Sequence, residues 1–364
     1  MKVAVAILLG LMLVVSLSVA DFTQNTALAE NAGEAEPTRI TVLAAGDLMC
    51  LYAQLNAVKA SGYKFDQCFA KIKDKVSAAD IAIANLETLV AAGNPYTGRK
   101  PVSGYTRINA PETFLSAAVG CGFDVLTTAN NHTYDYKADG IVKTLKKLDE
   151  YGVAHTGAYA SGADKKPLVV DVKGIRIGVL AYTDVLNKKP SKADAPMLDT
   201  YSTSRAEADI KATRDAGADF VIVYMHWGKE NTHKLTSRQK NAAKYIANAG
   251  ADLILGSHSH CVQPMAYIKT SRGNVPVVYS MGNLVSSMSR SINKDSALVT
   301  FTLEKQPDTG ITKVVGASYL PTYCTSTTDG KFVVLPALAS GSKTLKSARS
   351  RVIKVMGSSV AKPE

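Results

Sequence analysis

Histidine is scarce in this chain, six residues in 364, and there is a single tryptophan, Trp227. Any histidines that fall close together in the sequence therefore call for a reason. Cysteine is limited to Cys50, Cys68, Cys121, Cys261 and Cys324, at spacings that fit no zinc ribbon. An odd number leaves at least one thiol unpaired within a monomer, and scattered buried apolar residues are the expectation. No cysteine stands at the end of the N-terminal apolar run, where a lipoprotein anchor would need one. Acidic residues are the minority charge, 31 against 42 Lys and Arg, for a net +11. That surplus bears on attraction of polyanions and not on fold. No nucleic-acid-binding module is visible, which discounts nucleic acid and leaves wall polymer, anionic lipid or an acidic capsule polymer as expected partners. With 46% hydrophobic and 20% charged residues the composition is that of a globular protein, not a disordered one.

The N-terminus carries an export pattern. Lys2 precedes an apolar run, and Ser18-Val19-Ala20 places small residues where an export peptidase reads. Residues 1–20 are expected to be a signal peptide cleaved after Ala20, with an uncleaved anchor as the alternative. The expected location is thus extracellular or at the cell surface. Residues 21–38, polar and acidic, read as a flexible linker. A main domain follows over 39–336, then a basic C-terminal tail over 337–364 containing Lys343, Lys346, Arg349, Arg351 and Lys354. In the tail Leu345, Val352 and Met356 form an apolar stripe, read either as a helix docked on the domain or as a contact for anionic polymer or lipid.

Within the main domain strands are expected at Ile40–Ala45, Asp80–Ala84, Phe123–Thr128, Leu168–Val172, Ile175–Tyr182, Asp219–Met225, Asp252–Leu255, Val275–Ser280, Ala297–Leu303 and Thr312–Leu320. Helices are expected at Cys50–Ala60, Phe65–Val76, Pro111–Gly120, Ala138–Tyr151, Ser202–Ala216 and Ser237–Ala249. The helix over 138–151 is read with Ile141, Val142, Leu145 and Leu148 on its buried face. The phrase Ala-Gly-Ala-Asp occurs at 216–219 and at 249–252, each time closing a helix into a strand. Strands alternating with helices, followed by a strand-rich end, predict an α/β sandwich with sheets inside and helices outside.

In open α/β sheets functional groups collect beyond the carboxyl ends of the strands. Six such ends carry Asp, Asn, Glu or His: Asp47; Asn85 and Glu87; Asn130, Asn131, His132 and Asp135; His226, Trp227 and Glu230; His258 and His260; Gly282 and Asn283. Carboxylates and imidazoles together suit divalent Zn, Mn, Fe or Mg. A lone histidine after a strand is more often a satisfied loop residue. Six ends in order, with four of the six histidines among them, point instead to one metal-binding constellation. Asp135 is open to two readings, orienting His132 or capping the following helix. Trp227 either floors a substrate groove or packs under its loop. Gly282 and Asn283 are read as offering a backbone N–H and an amide to an anionic substrate.

The segments GDLMC, ANLET, TTANNHTYDY, YMHWGKE, GSHSHCVQP and YSMGN resemble, in order and spacing, those of the CapA family, capsule-synthesis proteins associated with bacterial poly-γ-glutamate. The resemblance covers roughly 39–336. It implies a four-layer α-β-β-α sandwich of the metallo-dependent phosphatase-like type, akin to calcineurin-like metallophosphoesterases. It further implies that Glu87, Asn131, His226 and His258 hold one divalent ion, and that Asp47, Glu87 and His260 serve a second, with Glu87 bridging. His132 matches an acid that assists the leaving group. Glu230, apart from the resemblance, is read as a base, a ligand for a cationic group or a solvated loop carboxylate. Where the phosphoesterase pattern has a second histidine two residues after the first aspartate, this chain has Met49, a poor ligand for a hard ion. One or two metal positions are therefore expected. The implied function is assembly or processing of an anionic capsule polymer, with a membrane-bound synthesis complex as a partner. The alternatives are an extracellular phosphoesterase unrelated to capsule, and a polymer-binding domain without turnover.

Overall fold

The computed structural model describes residues 36–98 and 104–364. The expected signal peptide (1–20) and the linker up to residue 35 lie outside the described residues. The chain makes three passes. It first lays down β1 (Thr38–Leu48), β2 (Ile81–Leu86), β3 (Val125–Thr127) and β4 (Ala154–Thr156) in one sheet. It then builds a second sheet from β5 (Leu168–Val172), β6 (Ile175–Thr183), β7 (Phe220–His226), β8 (Leu253–Ser257), β9 (Met265–Thr270) and β10 (Gly273–Val278). It returns to the first sheet with β11 (Asn283–Val285), β12 (Asp295–Lys305), β13 (Thr312–Ser326), β14 (Phe332–Pro336) and β15 (Lys362–Pro363). The first sheet runs β14-β13-β12-β1-β2-β3-β4, with β11 parallel to β1 and β15 parallel to β13; the second runs β5-β6-β7-β8-β10-β9. Both sheets are mixed: β1, β2, β3 and β4 are mutually parallel, as are β6, β7 and β8, while β12 runs antiparallel to β1 and β5 antiparallel to β6.

Five longer helices flank the sheets: α1 (Glu112–Cys121), α2 (Lys137–Glu150), α3 (Thr203–Asp215), α4 (Ser237–Ala249) and α5 (Lys343–Met356). The layering is written in β7. Phe220, Ile222 and Tyr224 belong to the core shared with the first sheet, whereas Val221, Val223 and Met225 pack with Ile210 of α3 and Ala243 and Ile246 of α4. A strand buried on both faces reads as a continuous apolar run, which is what FVIVYM is. β2 is buried along its whole length in the same way, and Phe114, Leu115, Ile141, Leu145 and Leu148 of α1 and α2 share its cluster. The result is an α/β fold of two mixed sheets between helices, as the residues predicted.

One device recurs at the amino ends of the parallel strands. Asp80, Asp124, Asp219 and Asp252 each stand just before a strand, and each carboxylate accepts the backbone N–H of a residue on the neighbouring strand: Thr41 at 2.7 Å, Ala82 at 2.8 Å, Arg176 at 2.8 Å and Val221 at 2.8 Å. In all four the aspartate's own N–H donates to the carbonyl of that same residue. The two Ala-Gly-Ala-Asp phrases are two instances of this clasp. Pinning the register at one end aligns the opposite, carboxyl ends, where the polar residues lie.

Some expectations change. Val142 is exposed and not on the buried face of α2, because it is one residue, about 100°, away from Ile141. The helix expected over 65–76 is two short turns, Asp66–Phe69 and Lys73–Ser77; breaking it buries Phe65, Phe69, Ile72 and Val76 together, with Phe65 and Phe69 against Phe114. The stretch 337–364 is no separate tail. Ala348, Val352 and Met356 of α5 are buried, β15 joins the sheet, and Arg351 holds the buried Asp295 through two bonds of 2.6 and 2.7 Å. Arg349 bonds the Glu364 carbonyl, which leaves Lys343, Lys346 and Lys354 of α5 exposed, with Lys362 exposed on β15. All five cysteines are free and buried.

Candidate metal centre

The polar strand ends converge between the carboxyl edges of the two sheets. Asp47 closes β1 opposite Asn85 on β2 and Asn283 on β11. The approach of β11 demands glycine at 46: a Cβ there would sit 1.8 Å from the Gly282 carbonyl oxygen. That carbonyl accepts the Asp47 N–H at 3.0 Å. From the second sheet, His226 ends β7 and Ser257 ends β8. Immediately afterwards His258 and His260 both adopt positive φ, 87° and 55°. Such backbone costs about 1–3 kcal/mol per residue and persists only where surrounding structure enforces it. Here it turns two alternate side chains of one loop into the same pocket, and the His258 N–H is held by Asp47 Oδ2 at 3.1 Å.

Two groups of side-chain atoms result, and Glu87 belongs to both. In the first, Glu87, His226 and His258 bring ligand atoms within 4.8 Å of one another. His226 Nε2 lies 2.8 Å from Asn131 Oδ1, 3.0 Å from His258 Nδ1 and 3.7 Å from Glu87 Oε1. In the second, Asp47, Glu87 and His260 do the same. His260 Nδ1 is 4.0 Å from Asp47 Oδ2 and 3.9 Å from Glu87 Oε2. The structure thus brings together Asp47, Glu87, Asn131, His226, His258 and His260, all of them buried.

The donor set fits a divalent ion on an independent ground. Glu87 is fully buried, yet neither of its carboxylate oxygens has a hydrogen-bond partner. An orphaned buried carboxylate is costly. Its imidazole neighbours stand beyond hydrogen-bond reach but near the spacing of atoms that share a cation: two ligands each about 2.1 Å from one ion lie about 3.0–3.4 Å apart. Electrostatics agree. Burial, and then the charge of Asp47, pushes Glu87 well above the usual carboxylate range. Burial also raises Asp47, against the favourable pull of His260 and bonds from Asn85 and the His258 N–H. Burial, and then the neighbouring imidazoles, drives His226 well below its ordinary value and His258 down to about 3. Neutral imidazoles with free lone pairs are what a metal requires.

Several residues that sequence reasoning had not singled out as site residues hold this set in place. Asn85 donates to Asp47 Oδ1 at 2.7 Å, and Ser257 Oγ bonds His226 Nδ1 at 2.9 Å, so that Nε2 faces the cluster. Asn130 bonds Asn85 and the Leu86 carbonyl. Asn187, from the loop after β6, accepts from the Asn131 amide at 3.2 Å and lies 3.5 Å from both His132 ring nitrogens. Asn85 and Asn130 sit in the polar strand ends and were findable there. Asn187 lies in a lysine-rich loop with no periodicity, and nothing in the sequence marks it.

His132 stands beside the cluster with Nε2 4.0 Å from Glu87 Oε1. Its Nδ1 is bonded to Asp135 Oδ2 at 2.8 Å, and the same oxygen accepts the Ile108 N–H at 2.7 Å. Asp135 therefore orients His132; α2 begins without a side-chain cap. Glu230 is half exposed at the mouth, its Oε1 4.0 Å from His260 Nε2. Three expected substrate contacts are corrected. Trp227 is wholly buried, donates Nε1–H to the Tyr279 carbonyl at 2.9 Å and stacks on that ring, so it packs under the loop and meets no ligand. The Gly282 N–H is taken by Ser280 Oγ. The Asn283 amide donates inward, away from any substrate, to Ser286 Oγ, Met288 Sδ and the Asn293 carbonyl.

Comparison with known proteins gives the following. Residues 41–288 match a family model described as bacterial capsule synthesis protein PGA_cap. The capsule biosynthesis protein CapA of Bacillus anthracis is 30% identical over 306 residues, 82% of this chain and 72% of that protein. The PGA biosynthesis protein CapA of Bacillus subtilis (strain 168) is 30% identical over 246 residues, 66% of this chain and 62% of that one, so less than two-thirds of the second relative is spanned. Among solved structures, the calcineurin-like phosphoesterase YfkN from Bacillus subtilis aligns with a TM-score of 0.45 at 14% identity, covering 88% of this chain and 98% of that one.

Proposed function

The chain belongs to the bacterial capsule synthesis family PGA_cap, and from that premise we propose that it is an exported, divalent-metal-dependent hydrolase acting on an anionic capsule polymer of the poly-γ-glutamate class. The observation that carries the reading is Glu87, a buried carboxylate with two unpartnered oxygens facing His132, His226 and His260. Glu87, Asn131, His226 and His258 would hold one ion; Asp47, Glu87 and His260 would serve a second. A bound divalent ion supplies an activated water and polarises the scissile group. His132, with Nδ1 fixed by Asp135, has only Nε2 free to hand a proton to the leaving atom. Glu230 at the mouth repels carboxylates, which steers an anionic chain toward the exposed Lys188, Lys189 and Lys192 on the loop that carries Asn187. Export to the cell surface, and work beside a membrane-bound synthesis complex, form part of the same proposal.

The test is metal analysis of the purified protein, with hydrolysis of poly-γ-glutamate and of phosphomonoesters and phosphodiesters by wild type and His258→Ala. Metal-dependent cleavage of the polymer, lost in His258→Ala, supports the reading; a wild type that binds no divalent ion at micromolar concentration overturns it. Met49, where a second histidine would complete the second position, favours one other reading: a domain that holds metal and polymer without turnover. Binding of both with no cleavage of any substrate would establish that instead.

A further inference from the structure

The second metal position has only Asp47, Glu87 and His260 from the expected set, and Met49 in place of its fourth ligand. We infer that Asn283 supplies that ligand through Oδ1, an inference that rests on the metal reading above. Three observations lead there. Asn283 pairs in parallel register directly with Asp47, so β11 delivers its side chain beside the first carboxylate of the site. Its amide orientation is unambiguous: Nδ2 faces the Asn293 main-chain carbonyl, which can only accept, together with Ser286 Oγ and Met288 Sδ. Oδ1 must therefore point the other way, where it meets His260 Nδ1 at 2.9 Å. That nitrogen is the one facing Asp47 and Glu87.

A structural alternative treats this contact as an ordinary hydrogen bond, with Asn283 accepting from His260 Nδ1–H and merely fixing the ring. That bond satisfies the metal-free protein, but it cannot persist once an ion is held by Nδ1. A protonated Nδ1 would have no lone pair for an ion, yet Nδ1 is the inward nitrogen, and Nε2 looks out toward Glu230. The contact is instead matched across the pocket, where Asn131 Oδ1 stands 2.8 Å from His226 Nε2. In both places an amide oxygen and an imidazole nitrogen lie at the separation of adjacent ligands on one ion, about 3.0 Å. Each position then has one asparagine oxygen, beside one carboxylate and two imidazoles in the first and two carboxylates and one imidazole in the second. An amide oxygen in place of an imidazole shifts the second position toward harder ions such as Mn²⁺ or Mg²⁺.

The experiment titrates metal-free full chain with Mn²⁺ alone and follows it calorimetrically, for wild type and Asn283→Ala, alongside a crystal structure of the Mn²⁺-loaded wild type. Two ions per chain are expected in wild type. Asn283→Ala should keep one at wild-type affinity and weaken the other at least about 10-fold. Asn283 Oδ1 should stand at bonding distance from the second ion, about 2.2 Å for oxygen on a small divalent ion. Unchanged affinities in the variant overturn the inference. So does an ion whose distance from Oδ1 exceeds about 3 Å, well outside bonding range, a measurement that decides the matter even if Asn283→Ala fails to fold. One ion bound beside Asn131, His226 and His258 would refute the role of Asn283 while leaving the metal reading intact; no ion at all would refute both.

Discussion

Glu87→Gln separates what stabilises this protein from what it is built to hold. In the metal-free chain Glu87 is fully buried with both oxygens unpartnered. Its ionisation is pushed well above the ordinary carboxylate range by burial and by Asp47. A raised carboxyl opposes folding as pH rises, because the unfolded chain loses its proton first; each pH unit in that interval costs about 1.4 kcal/mol. Glutamine has the same shape and no proton to lose. The metal-free variant should therefore match wild type near pH 4 and exceed it by about 2 kcal/mol at pH 6, about 1.7 pH units above the carboxyl of the unfolded chain. For a domain of about 330 residues the unfolding entropy is about 0.7 kcal/mol per degree, so the gain reads as roughly 3 °C in Tm. Adding Mn²⁺ at about 100 times Kd should raise wild type by about 2.7 kcal/mol, about 4 °C, and the variant by little. The order of stabilities thus reverses on adding metal. Calorimetric melts at pH 4 and pH 6, with and without Mn²⁺, make the comparison. A variant destabilised without metal, or stabilised by metal as much as wild type, would refute the reasoning.

Other outcomes follow from the same geometry. Metal binding near neutral pH should release a proton, chiefly from Glu87, so affinity rises with pH; calorimetry in buffers of different ionisation enthalpy measures it, and zero release between pH 6 and 8 contradicts the account. His226 and His258 are depressed in the folded state, so their contribution to metal-free stability is whole above about pH 6.5 and falls away as pH drops below it; denaturant melts between pH 5 and pH 8 show whether it does. Trp227→Phe should cost about 1–3 kcal/mol through the lost Tyr279 bond and a small cavity, with Mn²⁺ affinity unchanged, whereas a groove-lining role would lower polymer affinity and spare stability. Asp124→Ala leaves the buried Ala82 N–H without its carboxylate partner and should cost about 1–3 kcal/mol, read from urea midpoints; no loss would mean that the clasp does not set strand register.

Much of the architecture is legible in residue periodicity. The run FVIVYM and the hairpin turn Lys173-Gly174, both at positive φ, are unmistakable because they are local. So is the order of polar strand ends, which contains Asp47, Glu87, Asn131, His226, His258 and His260; the family resemblance then singled those six out as ligands. The strands β4, β9, β11, β14 and β15 left no such mark; β4, β11 and β15, of two or three residues, are held by their neighbours and not by their own pattern.

What the sequence by itself determined is the inventory: which residue types stand at the carboxyl end of each strand, and the family to which the chain belongs. What only the tertiary structure decided is direction. Asn283 was read as a substrate contact, and Trp227 as either a groove floor or a packing residue, because each sits at a strand end. Folding turns the tryptophan into the core and the asparagine's oxygen onto His260. Positive φ at His258 and His260, beyond the end of β8, turns both side chains of that loop into one pocket. Side-chain direction depends on backbone angles imposed by distant contacts, such as Asp47 on the His258 N–H and Gly282 against Gly46, and a linear sequence does not carry those.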